Sequence, residues 1–177
     1  MSNEVAYVID TNVWILADGS GNKGEGKRVG ELSEVELECI QNCLNWLIEF
    51  SQSGYKLAVD LNYLILGEYD NTFGKGGLAE AILNQFRGQA GSIIYVNIKY
   101  YEEGGHKIAI VSEDLQIIDK SDRKFVAVAL EVTPRPSIIN ASDTDWEKSK
   151  EVLFKNNIRV EELCPNYIAK KFRRNSG

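Results

Sequence analysis

The sequence predicts an α/β fold, a three-layer α/β/α sandwich around a central, mainly parallel sheet. Short apolar runs of strand length alternate with stretches of helical spacing along the whole chain. Strands that alternate with helices join in parallel, with the helices covering both faces of the sheet. The first two apolar runs also end on an aspartate, and open parallel sheets collect functional groups beyond the carboxyl ends of their strands.

Val5–Ile9 is the first strand, followed at once by Asp10-Thr11-Asn12 and helical spacing through Val13, Leu16 and Ala17. Asp18 to Gly30 carries five glycines and reads as a surface loop. Ser33 to about Phe50 is a helix, with Leu37, Ile40, Leu44, Leu47 and Ile48 on one face. Leu57–Val59 is a second strand ending at Asp60, before a helix through Leu64, Ile65 and Tyr69 and another over Leu78–Phe86. Ser92–Ile98 and Lys107–Val111 both have strand character, and whether both join the main sheet is left open by the pattern. Asp122–Leu130 is helical, Ser137–Asn140 a short strand, and Asp145–Phe154 helical again. Ile158–Val160 is the last strand, ahead of Pro165 and a short basic helix. The expected division is one domain over residues 1–165 and a basic segment over 166–177.

At 177 residues the chain can bury a full core without staples. No apolar run approaches the roughly 20 residues of a membrane span, and Met1-Ser2-Asn3-Glu4 does not open a signal peptide, so cytoplasmic residence is the expectation. Cys39, Cys43 and Cys164 are an odd and sparse set that implies no disulfide framework. Cys39 and Cys43 lie one helical turn apart, and small buried helix residues explain them better than a metal does. A net charge of −6 argues against holding nucleic acid by bulk electrostatics, although an acidic metal site accounts for part of it. Two basic stretches remain, Lys23, Lys27 and Arg28, and Lys170, Lys171, Arg173 and Arg174. The single histidine, His106, cannot supply the histidine acid–base pair that metal-free RNA cleavage commonly uses.

The chemistry rests on carboxylates. Asp10 ends the first strand, Asp143 follows the strand Ser137–Asn140, and Asp122 opens an apolar helix. Helix capping is the plain alternative for each, because aspartate in a first turn meets free N–H groups. Ser121 is placed to cap the helix that Asp122 begins, and Thr144-Asp145-Trp146-Glu147 has a capping-box pattern. Periodicity tips the balance. Leu61, Leu64, Ile65 and Glu68 share one helical stripe, and so do Asp122, Phe125, Val126 and Ala129, so two acids stand where the pattern expects core. A buried unpaired carboxylate costs several kcal/mol, and no matching lysines or arginines lie on these faces. A divalent ion is the simplest way to hold such acids together, and oxygen-only ligands select Mg2+ or Mn2+ over zinc. Such ions align a phosphodiester, activate water and stabilise the leaving oxygen.

Val8-Ile9-Asp10-Thr11-Asn12-Val13-Trp14 resembles the opening of PIN domains, a strand followed by an Asp-Thr/Ser-Asn turn. Leu57-Ala58-Val59-Asp60 leading to Glu68-Tyr69 is similar to the segment bearing that family's second acid. Asp122 through Leu130 resembles the helix of the third acid, and Asn140-Ala141-Ser142-Asp143-Thr144-Asp145-Trp146 resembles the terminal acidic motif. The likeness runs over about residues 5–165, with four pieces in the family's order. It implies a metal-dependent endoribonuclease acting on single-stranded RNA, with Asp10, Glu68, Asp122 and Asp143 as ligands of Mg2+ or Mn2+. Asp145 is an alternative to Asp143 as fourth acid, and Asn12 is expected to brace the first acid through its amide. The glycine-rich loop, the long helix after it and the segment Ser92–Val111 exceed the most compact PIN toxins. Single-stranded DNA is an alternative substrate, a homodimer or an inhibitory protein are the partner classes, and no membrane is expected. Two other functions stay open: an idle PIN-like binding module in a larger assembly, and a phosphohydrolase of small phosphate esters.

Weaker constellations give way to plainer readings. Gly74-Lys75-Gly76-Gly77 lacks the lysine–hydroxyl ending of a phosphate loop and reads as a turn. Trp14, Trp46 and Trp146 offer base stacking, but helix packing accounts for two of them.

Overall fold

In the computed structural model, which describes residues 5–19, 32–73 and 75–175, five parallel strands form the central sheet. They are β1 (Ala6–Ile9), β2 (Lys56–Asp60), β3 (Ile93–Val96), β6 (Ser137–Asn140) and β7 (Val160–Glu162), in the spatial order β3-β2-β1-β6-β7. Between β3 and β6, the strands β4 (Tyr100–Glu103) and β5 (His106–Ala109) pair only with each other, antiparallel. The two candidate strands of the middle segment therefore part company: one extends the main sheet and the other closes a separate hairpin. The polar, mostly exposed residues of β4 and the first half of β5 explain this, because a strand inside the covered sheet is apolar on both faces.

The helices are α1 (Thr11–Ala17), α2 (Glu34–Gln52), α3 (Leu64–Thr72), α4 (Leu78–Gly88), α5 (Arg123–Glu131), α6 (Asp145–Lys148), α7 (Lys150–Lys155) and α8 (Pro165–Asn175). They flank the sheet to give the α/β/α sandwich that the pattern predicts. Helix α5 packs on β1, β2 and β6, while α2 packs with α1, α4 and α8. Its apolar stripe buries Phe125, Val126, Val128 and Ala129 completely. Trp14, Leu47, Phe50, Leu57, Ile65 and Ile138 fill the core beside it, and truncating any to alanine costs about 2–5 kcal/mol.

Local signals place the ends. Ser33 caps α2 in a reciprocal box with Glu36, its N–H donating to Glu36 Oε2 over 2.8 Å. The strand-end carboxylate of Asp60 takes the first free N–H groups of α3, from Leu64 and Ile65, both at 2.9 Å. Ahead of α3, Tyr63 adopts a left-handed backbone (φ 63°), and its ring lies where Gly67 has no side chain; a Cβ there would stand 3.2 Å from the ring. The expected single helix over Asp145–Phe154 is two, divided at Ser149, which ends α6 and begins α7. The last strand lies two residues later than Ile158–Val160 suggests. Most of the glycine-rich stretch, with Lys23, Lys27 and Arg28, lies outside the described residues, as does Gly74.

Helix α8 packs against α2, and a disulfide joins Cys39 of α2 to Cys164 just before α8. This corrects the reading of the cysteines, whose odd number concealed one bonded pair 125 residues apart. The third, Cys43, keeps its thiol buried 3.9 Å from Cys164 Sγ, and burial pushes its pKa up to about 12. Among the described residues no helix is long and apolar enough to cross a membrane.

Candidate active site

Near the carboxyl ends of β1 and β6, Asp10 lies within reach of the charges of Asp143 and Glu68, and Asp122 within reach of those of Asp10 and Asp143. Asp10 follows β1 and is buried at 5% exposure. One carboxylate oxygen accepts the Trp146 indole N–H at 2.6 Å, the other the Asn12 backbone N–H at 3.2 Å. Burial raises its pKa to about 6 against those two donors, and the Asp143 and Glu68 carboxylates add to the rise. Tyr69, fully buried on α3, donates its hydroxyl to the Ile9 carbonyl and fixes the strand end beside Asp10.

Asp122 occupies the N-cap position of α5 without capping it: its side chain makes no bond to a helix N–H. Ser121 does not cap the helix either, because its hydroxyl turns to Asp119 at 2.6 Å and to Asp122 at 3.3 Å. Burial first, then the charges of Asp10 and Asp143, pushes Asp122 up to about 7. Capping thus explains Asp60, which the sequence placed only as a strand end, and fails for Asp122.

Glu68 sits one turn inside α3 and accepts the Thr11 hydroxyl. Its other oxygen lies 2.5 Å from Lys124 Nζ, a lysine of α5 with 9% side-chain exposure. The sequence reading allowed no cation on these faces, so Lys124 is a correction: four methylenes let its head reach across to α3. Asp143 takes the Asp145 N–H at 2.8 Å, whereas Asp145 turns outward to Lys148 at 2.5 Å. Of the two, Asp143 is the acid whose charge acts on Asp10 and Asp122.

Asn12 does not brace Asp10 with its amide. Its Nδ2 donates to Asn140 Oδ1 at 2.9 Å, and its Oδ1 accepts the Ala141 N–H at 2.9 Å, which clamps the loop bearing Asp143. The first turn of α1 rotates that side chain toward β6, leaving only the backbone N–H for Asp10. Glu162, absent from the expected set, ends β7 and accepts the Asn140 amide at 2.6 Å; burial leads its rise to about 7, and Asp10 contributes. It shares the strand-end position of Asp10 and Asp60, which the sequence pattern hid by ending the last strand at Val160. Trp14 and Trp146 are buried and unavailable for base stacking.

Among the described residues, the one trio of potential ligand atoms lying within 4.8 Å of one another is Cys39, Cys43 and Cys164, and the acids stand wider apart. Oxygen donors, two strongly raised carboxyls and mutual repulsion nonetheless fit a hard divalent cation, which relieves both burial and repulsion. Lys171 of α8 donates to the Ser142 carbonyl at 3.2 Å, which brings the basic helix to the rim of the Asp143 loop. No family model, curated protein or solved structure matches the chain. What fold and site define is an α/β sandwich with an acid-lined strand edge.

Proposed function

We propose that the protein is a metal-dependent endoribonuclease that hydrolyses phosphodiester bonds of single-stranded RNA, with single-stranded DNA as an alternative substrate. The observation that carries this reading is the pair Asp10 and Asp122, held at raised pKa beside Asp143 and Glu68 on one sheet edge. In this reading Asp10, Glu68, Asp122 and Asp143 hold Mg2+ or Mn2+. A bound ion supplies positive charge for the phosphodiester and activates water. The chain's own contribution is positional. Trp146 and the Asn12 N–H orient Asp10, Asn12 and Asn140 clamp the Asp143 loop, and Thr11 steers Glu68. Lys170, Lys171, Arg173 and Arg174 offer contacts to phosphates along α8.

A second reading, an idle PIN-like binding module in a larger assembly, is favoured by one observation. Lys124 already occupies Glu68, as it would if no cation were needed. Titration with Mn2+ followed by incubation with varied single-stranded RNA and DNA separates the two. Binding with cutting supports the nuclease; an absence of both supports the module.

A further inference from the structure

A cavity of about 420 Å³ opens beside the acids, between α3, the β4–β5 hairpin and the start of α5. Glu68 and Lys124 line it, so its inner wall is also the wall of the candidate active site. Leu64 and Ile108 give it apolar surface, and Lys107 and Lys120 stand among its other lining residues. This combination of size, apolar surface and a few placed charges is that of a small-molecule pocket.

We propose that the cavity seats the nucleotide flanking the scissile phosphate, its base against Leu64 and Ile108 and its phosphate met by Lys107 and Lys120. The inference rests on the nuclease reading and names the substrate contact of that site. Four clustered carboxylates repel a polyanion, so a strand that reaches them needs cations close by. Both lysines are available. Lys107 is exposed, 4.8 Å above the Tyr100 ring. Lys120 pairs with Glu103, each about half exposed, and so weak a pair yields to a phosphate that offers more than one oxygen. The cavity's other outer acid, Asp119, is occupied by Ser121 through its N–H at 2.9 Å and its hydroxyl at 2.6 Å. Lys124, also in the lining, stays paired with Glu68.

The test is calorimetric titration of adenosine 5′-monophosphate, adenosine and inorganic phosphate, in chelator, into the wild type and the Lys107→Glu/Lys120→Glu variant. The wild type should bind the nucleotide more tightly than adenosine or phosphate alone, and the variant should bind it about tenfold or more weakly. On RNA with Mn2+ the variant should raise KM several-fold while kcat stays within about twofold, because the lysines bind substrate without touching the reacting atoms. A wild type that ignores the nucleotide, or a variant that binds it equally well, overturns the proposal. Normal RNA cutting with no nucleotide binding removes the cavity and leaves the nuclease reading. Lysine-dependent nucleotide binding without RNA cutting keeps the cavity as a nucleotide site and removes the nuclease.

Discussion

Replacing Asp10 by asparagine should make the metal-free protein more stable at neutral pH, although it alters a buried, hydrogen-bonded residue. The carboxyl has an ordinary pKa of 3.8 and reaches about 6 in the fold, chiefly through burial. A raised carboxyl contributes stability that is full below pH 3.8 and is lost as pH rises through about 6. At about 1.4 kcal/mol per pH unit across that window, the ionised group costs about 3 kcal/mol above pH 6. Asparagine removes this cost and keeps an oxygen for the Trp146 indole N–H. Its amide then faces the Asn12 N–H, donor against donor, at a cost of about 1 kcal/mol. The net gain is about 2 kcal/mol, a rise in Tm of about 4–8 °C for a chain of this size. Urea denaturation in chelator from pH 3.5 to 8 checks it. The variant should lose the Asp10 part of the decline, keep a reduced part from Asp122 and Glu162, whose rise the Asp10 charge no longer feeds, and fall below the wild type at the acid end. A variant less stable at pH 7.5, or one with the wild-type slope between pH 4 and 6, would refute the account of Asp10.

Divalent ions should raise the Tm of the wild type, with about 2.7 kcal/mol gained at a hundredfold excess over Kd, and Asp10→Asn should shrink that rise. A full metal-induced shift in the variant, read by differential scanning fluorimetry, removes Asp10 from the ligand set. Lys124→Met should free Glu68 and tighten Mn2+ binding by about tenfold, measured by calorimetry. Unchanged affinity would mean that Glu68 is no ligand. Asn12→Ala leaves the Ala141 N–H without its acceptor and takes one of two donors from Asn140 Oδ1, which keeps the Asp143 N–H at 3.2 Å, and should cost about 1–3 kcal/mol in urea denaturation. A loss below 0.5 kcal/mol, within the range of an ordinary surface change, would show that the clamp is not structural.

Strand–helix alternation carries the fold because burial enforces it: Val8 and Ile9, or Ile138 and Ile139, are apolar on both faces of a covered parallel sheet. The same logic exposed Asp122, an acid on a core stripe. What stayed hidden depends on long-range geometry. Lys124 stands two residues after Asp122, and nothing local says that its head crosses to Glu68 on another helix. Asn12 looks like a partner of Asp10 in sequence, but its amide is spent 128 residues away on Asn140. Glu162 ends a strand too short and polar to announce itself, and the Cys39–Cys164 bond joins distant residues that no spacing rule connects.

The most direct measurement is cutting of an end-labelled single-stranded RNA with Mn2+, with and without chelator, by the wild type, Asp122→Asn and His106→Ala. Asp122 makes no cap bond, so its loss should spare the fold and abolish cutting; His106, exposed in the β4–β5 hairpin, should be dispensable. Wild-type products should carry 5′-phosphate and 3′-hydroxyl ends, with none in chelator, none from Asp122→Asn, and near-normal amounts from His106→Ala. Cutting that persists in chelator or in Asp122→Asn, products ending in a 2′,3′-cyclic phosphate, or no cutting by the wild type would contradict the nuclease reading.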